Sequence, residues 1–261
     1  MLATVRRAAD MLLIVNADDL GATEPINHEI FALMKSGLVT SSTIMANAPA
    51  FEDAAARVPE FPHSSFGVHL NLTAFAPVGP ASGLGAVLDE NGHLSNKLFR
   101  TRIRPELRAA LLRELTVQVQ RVLDAGIPVS HFDSHQHIHT LPQLFPVLKS
   151  LQRKFGIRKV RSTINLLPSG QRMTGLRSLK KKLFRVALRH VYSTRITDGL
   201  GDFRDFYLAM KAGYKPQFRI LELMVHPGTT NARLNEEADL LRSAWQQLLP
   251  PGVKFGCYHP I

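Results

Sequence analysis

One cysteine, Cys257, stands in 261 residues. It excludes an internal disulfide and removes the usual argument for an oxidising compartment, so a cytoplasmic location is expected. Long apolar runs are missing too. The N-terminal stretch Met11-Leu12-Leu13-Ile14-Val15 breaks at once into Asn16 and two aspartates, which is too short for a signal-peptide core and far too short to cross a membrane. No repeat of 20–50 residues and no low-complexity tract appears. The last lack is local: between Asp133 and Asp198 there is no Asp or Glu, while 14 Lys and Arg fall there, including Lys180-Lys181-Lys182. A solvated basic face is the plainest account of that stretch, with an anionic lipid surface or an acidic substrate as the alternatives. Nucleic acid is not an expected partner.

What is present suits one α/β domain over 1–261. Leu12-Leu13-Ile14-Val15 reads as a strand buried on both faces. Thr23 then caps a helix with Ile26, Ile30, Leu33 and Met34 on one face and Gly37 at its end. Further strands are predicted at 39–46, 65–72, 127–133, 160–163, 221–226 and 253–258. Helices are predicted at 51–58, from Pro105 to 125, from a Thr140 capping box to near Gly156 with a bend at Pro146, and at 176–191 and 235–249. Two segments, 74–104 and 165–200, are predicted as loops over the site, the first because it is too long for a simple connection. This alternation implies a mostly parallel sheet with right-handed crossovers.

Chemistry-bearing residues gather at the predicted strand ends. Asp18-Asp19 follow the first strand directly, so one carboxylate can bind a cation while its neighbour handles a proton. In Val68-His69-Leu70-Asn71-Leu72, period-two alternation puts His69 and Asn71 on one face, where a neutral imidazole can donate to a divalent metal. His131-Phe132-Asp133-Ser134-His135-Gln136-His137-Ile138-His139 is the densest group of ligand-type side chains. One or two of its histidines can ligate a single metal, with the rest orienting or touching substrate. His226, followed by Pro227-Gly228, ends a strand where it is free to act as general acid or base. His259 is a weaker echo without an assigned role. Positions at the C-terminal ends of different strands converge on one mouth in a (β/α) barrel.

The segments Leu13-Ile14-Val15-Asn16-Ala17-Asp18-Asp19-Leu20-Gly21, Gly67-Val68-His69-Leu70, His131 to His137 and Val225-His226-Pro227 resemble, in order, the motifs of the YdjC-like family, which includes chitooligosaccharide deacetylases. The resemblance implies an irregular TIM-type barrel and one divalent cation, magnesium in the first place with zinc as the alternative, held by Asp19, His69 and His135. It further implies Asp18 as the base that takes a proton from water and His226 as the acid that protonates the departing amine. The expected substrate is an N-acetylated sugar or glycoconjugate, and a homodimer fits the resemblance. No substrate-binding residue is assigned. Two rivals stand beside this reading: a metal-dependent hydrolase of another ester or phosphoester, and a non-catalytic glycan- or polyanion-binding protein with a structural cation. For the basic 171–195 segment, the helix stripe Leu176, Leu179, Leu183, Val186 or Ala187 and Val191 is expected to pack on the domain, with a membrane surface as the alternative.

Overall fold

A computed structural model describes residues 11–163, 166 and 175–261. Positions 1–10 lie outside them, as do 164–165 and 167–174 of the second expected loop.

The first strand, β1 (Leu12–Leu20), runs farther than its apolar start suggests and takes in Asn16, Asp18 and Asp19. Period two explains how: Leu13, Val15 and Ala17 join the apolar core, while Asn16 and Asp18 face the other way, into a polar interior. Helix α1 (Glu24–Lys35) starts where Thr23 Oγ1 accepts the Ile26 N–H at 3.3 Å, and it buries Ile30, Phe31, Leu33 and Met34. Next come β2 (Ser41–Ile44), α2 (Phe51–Arg57) and β3 (Ser65–Leu70).

The expected loop at 74–104 is tied down. Leu84, Val87, Leu94 and Leu98 are buried in the core, and Glu114 accepts the Val78 and Gly79 N–H groups at 3.0 and 2.8 Å. Glu114 belongs to α3 (Pro105–Asp124), which leads into β4 (Val129–Ser134).

Thr140 does not open the next helix. Its hydroxyl donates to the His137 carbonyl at 2.8 Å, and two short 3-10 turns intervene before α4 (Phe145–Phe155). Pro146 therefore sits in the first turn of α4, where proline is tolerated, and bends nothing. The chain continues through α5 (Gly175–His190), β5 (Gly199–Asp202), α6 (Phe203–Lys211), β6 (Ile220–Val225), α7 (Ala232–Arg242) and β7 (Lys254–Phe255). On α5 the expected packing is reversed: Leu176, Leu179, Leu183 and Val186 are exposed, and the helix docks instead through Leu188 and Phe184.

The strands form one parallel sheet in the order β4-β3-β2-β1-β6-β5, with β7 added beside β1. A flat sheet would hold β4 and β6 about 19 Å apart across four strand spacings. Instead Asp133 on β4 and Glu222 on β6 each lie 2.8 Å from the same Arg161 side chain. The sheet is therefore strongly curled. The expected closed barrel is not formed among the described residues. The predicted strand at 160–163 makes only single bridges, Val160 to Phe132, with Lys159 to Arg195 beside it, and no ladder joins β4 to β5.

Gly67 shows how tightly the concave side is filled. A Cβ there would lie 2.6 Å from the His131 ring, which stacks on Tyr258 with centroids 3.6 Å apart. Gly67→Ala is expected to cost about 1–3 kcal/mol, because the stacked ring cannot retreat freely. Urea unfolding would read this as a lowered midpoint at unchanged slope. A wild-type midpoint would contradict the packing described.

Candidate metal and active site

The polar interior is organised by Arg161. Its Nη1 and Nη2 grip the two oxygens of Asp18 at 2.6 Å each, Nη1 also reaches Asp133 Oδ2 at 2.8 Å, and Nε reaches Glu222 Oε1 at 2.8 Å. All four side chains are buried. Burial pushes the Asp18 and Asp133 carboxyls up, but the guanidinium overrides it and holds both below the usual range. Glu222 differs: burial raises it, and it accepts the Tyr258 hydroxyl hydrogen bond. The C-terminal segment is thereby tied to the centre of the sheet.

Beside this knot, Asp19 faces two imidazoles. Asp19 Oδ1 lies 2.9 Å from His135 Nδ1 and 3.2 Å from His69 Nε2. Asp133 lies 2.8 Å behind His69 at Nδ1, so the donor at Nε2 is turned toward Asp19, the arrangement by which carboxylates orient metal-binding imidazoles. Thr43 locks this pair by donating to Asp133 Oδ2 at 2.9 Å. Asp19 adopts φ 64, and Gln136 and His137, directly after His135, adopt φ 50 and 56. These left-handed conformations are costly for residues other than glycine and cluster where side chains must be aimed. Burial raises Asp19, yet hydrogen bonds from His135 and His69 hold it well below the ordinary carboxyl range.

Among the described residues, two groups have ligand atoms within 4.8 Å of one another: Asp19, His69 and His135, and Asp18, His69 and Asp133. In the second group Arg161, Asn16 and Thr43 already engage the carboxylates. The first is freer and carries the donor set that a divalent cation prefers at an open site. Three carboxylates, Asp18, Asp133 and Glu222, converge on the Arg161 guanidinium, while Asp19 faces the His69 and His135 imidazoles instead.

His226 follows β6 directly, and its Nε2 stands 3.7 Å from Asp18 Oδ2. Its backbone N–H donates to Glu237 Oε2 at 2.7 Å, and the same oxygen lies 3.7 Å from its Nδ1. Burial alone would lower this imidazole, but the Glu237 and Asp18 carboxylates raise it to about 9. It is protonated at neutral pH.

The remaining histidines of the dense cluster separate by environment. His131 and His139 are buried, bonded to Ser130 and Ser134, and lowered by burial to about 3, so both are neutral packing groups. His137 lines a cleft of about 320 Å³ together with Thr140, Ser162, Thr163, Lys180 and Phe184. The Ser162 and Thr163 hydroxyls and His137 Nδ1 are buried without hydrogen-bond partners among the described residues. His259 lies away from the site, its ring nitrogen 3.2 Å from the Ser64 carbonyl. Sequence reasoning missed Arg161, Glu222, Glu237 and Tyr258. A signal existed for Glu222, a charged residue inside the apolar segment Leu221-Glu222-Leu223, since a buried charge demands a partner.

The family profile described as YdjC-like protein matches residues 12–249. This chain belongs to the YdjC-like family. A carbohydrate deacetylase from Geobacillus stearothermophilus is 36% identical to the YdjC-like chain over 154 residues, 57% of this chain and 60% of the relative. A chitooligosaccharide deacetylase from Proteus mirabilis is 38% identical over 139 residues, covering 52% and 53%. The chain thus spans little more than half the length of these relatives. Among solved structures, a putative cellobiose-phosphate cleavage protein from Enterococcus faecalis V583 superposes with a TM-score of 0.75 at 21% identity, covering 96% of this chain and 98% of that one. At that identity the likeness speaks for the YdjC-like fold.

Proposed function

We propose that the protein is a metal-dependent carbohydrate N-deacetylase, with Asp19, His69 and His135 as metal ligands, Asp18 as general base and His226 as general acid. The observation that carries this is the adjacency of the Asp19–His69–His135 group to an ionised carboxylate and a protonated imidazole. Relatives named as carbohydrate and chitooligosaccharide deacetylases support the substrate class.

A bound divalent cation supplies Lewis-acid polarisation of the acetyl carbonyl and makes water acidic enough to attack near neutral pH. The protein supplies the proton traffic. Among the described residues, Asp18 Oδ2 has Arg161 Nη1 as its one partner within hydrogen-bond distance, so it retains an acceptor site for the proton that leaves the attacking water. As the water oxygen bonds to the carbonyl carbon and the C–N bond breaks, His226 gives its proton to the amine nitrogen. Acetate and a free amino sugar result. Glu237 keeps His226 charged beforehand, and Arg161 keeps Asp18 ionised and fixed in place. Magnesium and zinc are the candidate metals; two imidazole donors suit zinc better, and reconstitution with each distinguishes them. The cleft beside His137 is large enough for a sugar ring.

His226 gives a pH test. In metal-free protein its NMR titration is expected to end near 9, and a divalent cation should shift it downward, since added positive charge disfavours imidazolium. Activity of the metal-loaded protein should fall as pH rises through that lowered value, because the acid form is lost. A metal-free midpoint near that of free histidine would remove the acid assignment.

The basic cleft lends some weight to phosphoester hydrolysis as a second reading. A panel of N-acetylated sugars and sugar phosphates separates the two. Acetate release without phosphate release supports the deacetylase, and the reverse replaces it.

A further inference from the structure

Helix α5 leaves its apolar stripe uncovered. Leu176, Leu179, Leu183 and Val186 are 66, 52, 60 and 53% exposed, and their spacing places them along one face. That stripe extends about 15 Å. The opposite face is anchored: Leu188 is buried, Phe184 packs edge-on against Phe145 at 5.8 Å, and Arg185 donates to the Asp198 carbonyl at 2.9 Å. The stripe is therefore presented to the outside by a helix already seated on the fold.

Charge indicates what covers it. Of the sixteen residues in α5, six are Lys or Arg and none is Asp or Glu, and the acid-free stretch extends well beyond the helix on both sides. Lys180 and Lys182 are exposed beside Leu179 and Leu183. A second copy of this chain would set two such faces together, each on a molecule of net charge +11, which repulsion disfavours. An anionic bilayer complements both features, since a basic amphipathic helix lies in the headgroup plane with its apolar side chains buried and its cations against acidic lipid. Among the described residues no helix is long and apolar enough to cross a membrane, so this contact is peripheral.

We propose that α5 docks the protein onto an anionic lipid surface through Leu176, Leu179, Leu183 and Val186, flanked by Lys180 and Lys182. The docking does not require the deacetylase reading. If that reading also holds, the substrate class extends to acetylated sugars carried on lipid, because Lys180 and Phe184 of the same helix line the cleft beside His137.

Sedimentation of the full chain with phosphatidylglycerol vesicles, against phosphatidylcholine vesicles, tests this. Binding is expected to the first at low salt, with loss in high salt. The double variant Leu179→Glu/Leu183→Glu should weaken binding by at least about tenfold, and Lys182→Gln by about fivefold. Circular dichroism and acetate release from a soluble sugar should stay unchanged, which separates failure of docking from failure of the enzymatic reading. No association at low salt, undiminished binding by the double variant, or a wild-type dimer that the double variant dissolves would each overturn the proposal.

Discussion

Asp18→Asn is expected to lower acetate release by a factor of about 10²–10⁴, the range typical of losing a positioned proton acceptor. Divalent-cation affinity should stay near the wild-type value. The substitution preserves volume but breaks the buried charge pair with Arg161 and turns an amide N–H toward a donor, so a loss of stability is expected and the assay is made on protein shown folded by circular dichroism. It removes the carboxylate that receives the proton, while Asp19, His69 and His135 are untouched. Asp19→Ala should do the opposite in one respect, abolishing cation binding along with activity. Calorimetric cation titration beside the acetate assay distinguishes the two variants. If Asp18→Asn loses the cation as well, Asp18 is a ligand and the division of roles is wrong.

Arg161→Met carries the largest expected cost in stability, on the order of 3–5 kcal/mol at neutral pH. Asp18, Asp133 and Glu222 would then face one another in a buried space with no guanidinium between them. The pH dependence has a definite sign. In the wild type, Asp18 and Asp133 have folded-state pKa values below their unfolded ones, so their stabilisation is complete above about pH 4 and is lost on further acidification. In the variant the same carboxyls are raised by burial and mutual repulsion, which penalises the fold above their unfolded values. The stability gap between the two proteins should therefore narrow as pH falls toward 4. A gap that widens on acidification would contradict the arrangement of charges described here.

The sequence made the carriers of chemistry more legible than their supports. Asp18-Asp19, His69 and His226 stand out because each follows, interrupts or ends an apolar run, and His135 because of the dense histidine cluster around it, and the fold brings them to strand ends of one sheet. Arg161 and Tyr258 lie far from those residues in the chain, and only the curl of the sheet brings them together. Strand β5 was hidden by its glycines: Gly-Leu-Gly-Asp reads as loop, yet side chains at Gly199 and Gly201 would meet Phe218, Leu221 and Leu166 at 2.8 Å. At 160–163 the chain bridges Phe132 through Val160, and Lys159 beside it bridges Arg195, without forming a ladder, while Arg161 turns into the interior. On α5, periodicity correctly gave an amphipathic helix but does not say which side faces the protein.

The most direct test of the central claim is acetate release from an N-acetylated chitooligosaccharide, measured on one preparation as isolated, after chelation, and after magnesium or zinc is returned. The account predicts turnover that chelation abolishes and the returned cation restores. Turnover that survives complete chelation, or no acetate release with either metal despite measured cation binding, would contradict it.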